Sequence, residues 1–133
     1  MVTAVTAVGS LKIRKRQFSI APYKESWHEY EAFDGEHLVG RAVSFEAPRG
    51  SGDCWLHDLW IAPECRRSGV GSELLRETIE NARAHHYLRM LGELRPYDGA
   101  PIDGLAAFFR CHGFIIDANW ERTGKPVVML LLA

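Results

Sequence analysis

The chain has 133 residues, 47% of them hydrophobic and 25% charged, the composition of an ordinary globular domain long enough to bury one core. Its 16 Lys and Arg against 17 Asp and Glu leave a formal net charge of −1, which excludes a global electrostatic pull toward nucleic acid or anionic lipid. No run reaches the roughly 18 apolar residues of a membrane span, and Cys54, Cys65 and Cys111 show no C-x-x-C spacing, so a single cytoplasmic domain with free thiols over residues 1–133 is expected.

The opening "MVTAVTAVGSLKIRKR" is apolar before it is basic, the reverse of a secretory signal, and residues 1–10 read as a loose leader. Leu11 to Ile20 mixes basic and apolar residues, as a charged edge strand or solvated strand face does, and "APYKES" then interrupts it. Trp27 to Phe33 and Leu38 to Phe45 are strand-like runs joined by Asp34, Gly35 and Glu36, a strong hairpin signal. After the loop "EAPRGSGD", Cys54 to Ile61 reads as a strand that stops before Pro63.

Helical spacing begins after a glycine turn: Val70, Leu74, Leu75, Ile79 and Ala82 fall on one face of a helix predicted from about Val70 to His86. A buried strand, Tyr87 to Leu94, comes next. Asp103 reads as an N-cap, Leu105, Phe108, Phe109 and His112 follow helical spacing, and Gly113 stands where a helix-ending glycine belongs. Phe114 to Trp120 and Pro126 to Leu132 are two closing strands. The order is that of an α/β domain on a mixed sheet.

The stretch "PECRRSGVGSELL" places two arginines, a serine and two glycines between a strand and a helix. Such a turn gathers the free N–H groups of the first helical turn, here those of Val70, Gly71 and Ser72, with the positive end of the helix dipole behind them. Gly69 and Gly71 lack the Cβ atoms that would keep a phosphate from the backbone; Ser68 offers a hydroxyl, and Arg66 and Arg67 add charge. A helix start with solvated arginines is the plainer alternative. A P-loop is excluded because the Gly124-Lys125 pair is followed by Pro126, and a dinucleotide fingerprint because its third glycine position falls on Leu74.

The run "LHDLWIAPECRRSGVGSELL" resembles motif A of the GNAT superfamily of N-acetyltransferases, and "LAAFFRCHGF" resembles that family's second motif, an amphipathic helix ending in Gly-Phe. The similarity covers roughly Cys54 to Leu132. It implies a mostly antiparallel mixed sheet with a pyrophosphate-binding strand-turn-helix and a second helix in the C-terminal half. It also implies acetyl-CoA as co-substrate, its pyrophosphate held by Arg66, Gly69 and Gly71 and their neighbours in the turn. In this family backbone N–H groups on the bulged fourth strand, here those of Leu59, Trp60 and Ile61, polarise the thioester and pair with the pantetheine arm. Two helices usual between the first and second family strands are missing, because the six residues of "APYKES" are too few for them.

For the base, the strand offers His57 and Asp58, adjacent residues expected to point to opposite faces. Related enzymes often show Leu-Glu-Asp-Leu where this chain has Leu56-His57-Asp58-Leu59, so His57 stands in place of a glutamate proposed as base. Histidine as a residue type exchanges protons near neutral pH, and a structural histidine is the alternative. Asp58 either orients a cationic acceptor or bonds the backbone. Where the family commonly places a tyrosine that protonates the departing thiolate, this chain has Phe109, which can only pack beside the cofactor; Tyr97 or solvent is then the candidate donor. Cys54 reads as a buried, inert thiol, and His85 and His86 as helix-end residues.

With no H-E-x-x-H motif or Cys/His cluster, no metal is expected. The resemblance implies an N-acetyltransferase that takes an amine, either a small molecule or a protein lysine, by direct attack in a ternary complex. A non-catalytic acyl-CoA-binding module is the alternative, kept open by Phe109. Neither nucleic acid nor membrane is expected as a partner, and the exposed strands are compatible with a homodimer.

Overall fold

The computed structural model describes residues 2–8, 11–20, 25–66, 68–95, 102–117 and 126–132. Strands β1 (Val2–Val8), β2 (Leu11–Ile20), β3 (Glu25–Asp34), β4 (His37–Glu46) and β5 (Asp53–Ile61) are successive antiparallel neighbours. A turn of 3-10 helix, Pro63–Cys65, leads into α1 (Val70–Ala84), which returns the chain to β6 (Arg89–Glu93), parallel to β5. After α2 (Ile102–Cys111) come β7 (Ile115–Asp117) and β8 (Val127–Leu131), and the 8-stranded sheet runs β1-β2-β3-β4-β5-β6-β8-β7.

Sequence pattern accounts for most of this. The glycine of the β3–β4 hairpin, Gly35, has the positive φ of 63° that its two-residue turn requires. In α1, Val70, Leu74, Leu75, Thr78, Ile79 and Ala82 form the buried face, and they pack on Tyr30, Ala42, Cys54 and Leu56 of the sheet. Each leucine fully buried there contributes about 1.5–3 kcal/mol. Ala106 and Phe109 bring α2 into the same cluster, so both helices cover one face. The opposite face carries a smaller core of Trp55, Leu91 and Val127, with Phe45 and Met129 packed against it.

Two expectations need correction. Residues 2–8, read as a loose leader, pair with β2 from Val2↔Arg16 to Val8↔Leu11; their alternation of Val and Thr with Ala is a strand pattern. This makes β2 an interior strand rather than a charged edge, and its cations are divided between faces. Arg14 meets Glu31 at 2.6 Å and Arg16 meets Glu29 at 3.0 Å across the β2–β3 ladder, while Lys15, on the other face, meets Glu77 of α1 at 3.3 Å. The missing helices are as expected: Ile20 pairs with Glu25, and residues 21–24 between them are too few for a helix.

Candidate active site

The register of β4 against β5 shifts at one point: Val43 pairs with Asp58 and Ser44 with Leu56, which leaves His57 as the extra residue of a β-bulge. The bulge corrects the expectation of opposite faces. Asp58 lies across from Val43, which itself pairs with Glu29, on the face that carries Trp27. The His57 ring lies on that same face, 5.3 Å from the Trp27 ring and 5.7 Å from that of Phe45. Both titratable neighbours are therefore presented together, on the face the helices leave open.

Beyond the bulge the sheet opens. The β5–β6 pairing ends at Leu56↔Gly92, while β5 continues to Ile61, so its far half has no strand partner on that side among the described residues. The Ala62 N–H bonds the Val39 carbonyl at 2.9 Å, and antiparallel alternation then turns the backbone groups of Trp60 and Asp58 toward β4 as well. Leu59 and Ile61 point theirs into the opening. Of the three donors expected from sequence, these two face the gap and Trp60 does not. At the start of the gap, Arg95 Nη2 donates to the His57 carbonyl at 3.1 Å and Arg95 Nε lies 3.4 Å from Glu93 Oε2.

The glycine turn stands beside this opening. Gly69, the N-cap of α1, has φ 91° and ψ −4°, a left-handed conformation that costs other residues about 1 kcal/mol, and no side chain caps the helix. The first intrahelical bond is Glu73 N–H to the Gly69 carbonyl at 3.1 Å, so the N–H groups of Val70, Gly71 and Ser72 are left to outside acceptors. Val70 buries its side chain under the helix. The Ser68 hydroxyl donates back to the Cys65 carbonyl, and the Ser72 hydroxyl is 3.1 Å from His112 Nε2, so both side chains serve the turn and the α1–α2 contact. Arg66 is half-buried, with its N–H on the Pro63 carbonyl at 3.4 Å. Arg67 and Tyr97 lie outside the described residues.

Phe109 is buried, its ring edge-on to Phe108 and Phe114 at 5.5 and 5.2 Å, and it lines a recess with His57, Asp58, Leu59 and Leu105. On the open face, a cavity of about 340 Å³ continues from this recess, walled by Phe45, Trp55, Leu56, His57, Glu93 and Arg95. Sequence reading missed Phe45, Trp55, Glu93 and Arg95 as site residues; only the assembled sheet brings these separate strands together. Burial pushes the Cys54 thiol up to about 12, which suits a packing thiol rather than a nucleophile. Among the described residues no group of three or more His, Cys, Asp or Glu could hold a metal ion.

The family model of the GNAT acetyltransferases matches residues 9–114, and the chain belongs to that family. Among solved structures it is similar to a GNAT-family acetyltransferase from Elizabethkingia anophelis with acetyl-CoA bound, at 15% identity and a TM-score of 0.67, over 94% of this chain and 100% of that one. It is also similar to a GNAT-family acetyltransferase from Desulfovibrio desulfuricans, at 22% identity and a TM-score of 0.63, over 80% of this chain and 70% of that one. A third likeness is to the PaiA N-acetyltransferase from Thermoplasma acidophilum in complex with coenzyme A, at 16% identity and a TM-score of 0.62, over 77% of this chain and 59% of that one. At these identities the likeness is one of fold. No curated protein matches the sequence.

Proposed function

We propose that the protein transfers the acetyl group of acetyl-CoA to an amine by direct attack in a ternary complex. The observation that carries this reading is the parting of β5 from β6 after Leu56↔Gly92, immediately beside an uncapped helix start at Gly69. The N–H groups of Val70, Gly71 and Ser72 receive the pyrophosphate, with Arg66 and Arg67 adding charge. Leu59 and Ile61 pair with the pantetheine arm along the open edge and turn an N–H toward the thioester oxygen.

The acceptor approaches from the open face. Its ammonium gives up a proton to His57, directly or through water, and the freed lone pair attacks the thioester carbonyl. The C–N bond forms, the C–S bond breaks, and the thiolate leaves with the bonding pair. An ordinary thiol has a pKa of about 8.5, so solvent or Tyr97 suffices to return a proton to sulfur. Phe109 favours a second reading, a non-catalytic acyl-CoA-binding module, because it stands buried where a hydroxyl donor is implied by the family resemblance.

Two measurements separate these readings. Acetyl-CoA is expected to raise the melting temperature, because a ligand that binds only the folded state stabilises it by mass action, and Arg66→Ala is expected to reduce that rise. Release of free CoA on addition of amines then marks the transferase. Stabilisation without thiol release over a broad amine panel would leave the binding module standing.

A further inference from the structure

From the chemistry of the 340 Å³ cavity we infer that the acceptor is a small primary monoamine carried on an aryl or branched alkyl body, rather than a polyamine or a protein lysine. This rests on the transferase reading, since it names what that site receives.

The cavity is large enough for a small organic molecule, and two of its walls are aromatic. Phe45 stacks on Trp27 at 4.4 Å and 17° between planes, and Trp27 in turn stacks on Phe18 at 6.3 Å. The Trp55 indole is fixed by its N–H bond to the Ala47 carbonyl at 3.0 Å. These walls are preorganised apolar surfaces, and rings and branched alkyl groups lose little freedom in packing on them.

The charges set the count of amines. Asp58 and Glu93 carry the carboxylates of the cavity and its adjoining recess, and Arg95 carries the guanidinium, so with His57 neutral the described lining holds one net negative charge. Glu93, on the cavity floor, meets Arg95 through Oε2, which leaves Oε1 without a partner among the described residues and available to an ammonium. One cation is neutralised there. A second ammonium further along the chain would face Arg95 or aromatic walls, and burying it without a counterion is costly. His57 contributes to this choice, because a neutral ring stands on the wall where a carboxylate would favour a second positive charge.

The test compares phenethylamine and isoamylamine with spermidine and a lysine-containing peptide, following CoA release at saturating acetyl-CoA. Phenethylamine is expected to exceed spermidine in kcat/KM by roughly tenfold or more. Glu93→Gln is expected to raise the KM for phenethylamine about tenfold with the KM for acetyl-CoA little changed, and Phe45→Ala to raise it several-fold. Calorimetric titration of phenethylamine into the protein saturated with CoA reads the same site without turnover. Binding there without CoA release would support the ligand class and overturn the transferase reading. Preferred turnover of spermidine or the peptide would overturn the ligand class and keep the transferase. Neither binding nor turnover of phenethylamine would also overturn the ligand class.

Discussion

Gly71 of α1 lies against Phe108 of α2: a Cβ added at Gly71 would come within 3.4 Å of the Phe108 ring carbons Cε1 and Cζ and 3.5 Å of Ile61 Cγ1. The bare Cα thus sets how closely the two helices and the end of β5 meet at the mouth of the opening. Gly69 differs, since nothing lies within 4 Å of its added Cβ and its requirement is the positive φ of 91°. Gly71→Val should therefore cost about 1–3 kcal/mol by overpacking and also weaken acetyl-CoA binding by displacing α1. Gly69→Ala should cost about 1 kcal/mol through backbone strain while keeping most of the acetyl-CoA-induced rise in melting temperature. An unchanged melting temperature in Gly71→Val would contradict the packing role.

His57→Ala is expected to lower kcat roughly a hundredfold near pH 7 and to flatten the pH dependence of kcat/KM, with acetyl-CoA affinity little altered. Equal losses of binding and rate would assign His57 a structural role. Phe109→Tyr points its hydroxyl toward the recess shared with His57 and Asp58, and turnover should be maintained or raised if thiolate protonation limits the rate. Rapid-quench measurement of the transfer step checks both variants.

Much of this site was legible in the chain, and what was not legible has a physical reason. The turn from Arg66 to Ser72 could be read because its geometry is local: a strand end, a glycine with positive φ and a helix start follow one another in sequence. The bulge at His57 could not, because one extra residue in β5 is defined only by its partners Val43 and Ser44. That single shift brings His57 and Asp58 to one face and fixes the alternation that turns Trp60 toward β4. Val2–Val8 carries a strand pattern, but an edge strand is stabilised by the β2 it joins, and the pattern alone does not show that pairing. The aromatic and charged walls of the cavity come from strands far apart in sequence.

His28 offers a pH test of the fold. It is buried on β3 beside the His85 ring at 4.7 Å, its Nε2 has no partner among the described residues, and burial, assisted by His85, lowers its pKa to about 4. A histidine whose folded pKa is depressed stabilises the fold fully above its unfolded value near 6.5, and that contribution is lost as pH falls toward 4. The loss between pH 7 and 5 should be on the order of 2 kcal/mol at most, allowing for screening of the His85 charge. Denaturant unfolding at both pH values should show a smaller loss in His28→Phe than in the parent; equal losses would contradict the assignment.

Asp53 and Arg89 join β5 to β6 ahead of the opening through a two-point contact, Nε to Oδ1 at 2.7 Å and Nη2 to Oδ2 at 3.0 Å. This hydrogen-bonded pair raises the Arg89 pKa further and pins the paired half of the two strands from which the other half diverges. Asp53→Ala should cost about 1–3 kcal/mol and, by loosening the strand pair, raise the KM for acetyl-CoA. Unfolding curves combined with steady-state kinetics measure both effects, and a loss below about 0.5 kcal/mol would show the pair to be incidental.

The central claim is direct transfer from acetyl-CoA to an amine held in the opening between β5 and β6. Incubation of the protein with phenethylamine and acetyl-CoA labelled in its acetyl carbons, followed by mass analysis of the amine and the intact chain, tests it most directly. The predicted result is label on the amine nitrogen, free CoA in equal amount and no label retained by the protein. Label held covalently by the chain as an acyl-enzyme, or acetyl-CoA left intact with every amine, would contradict it.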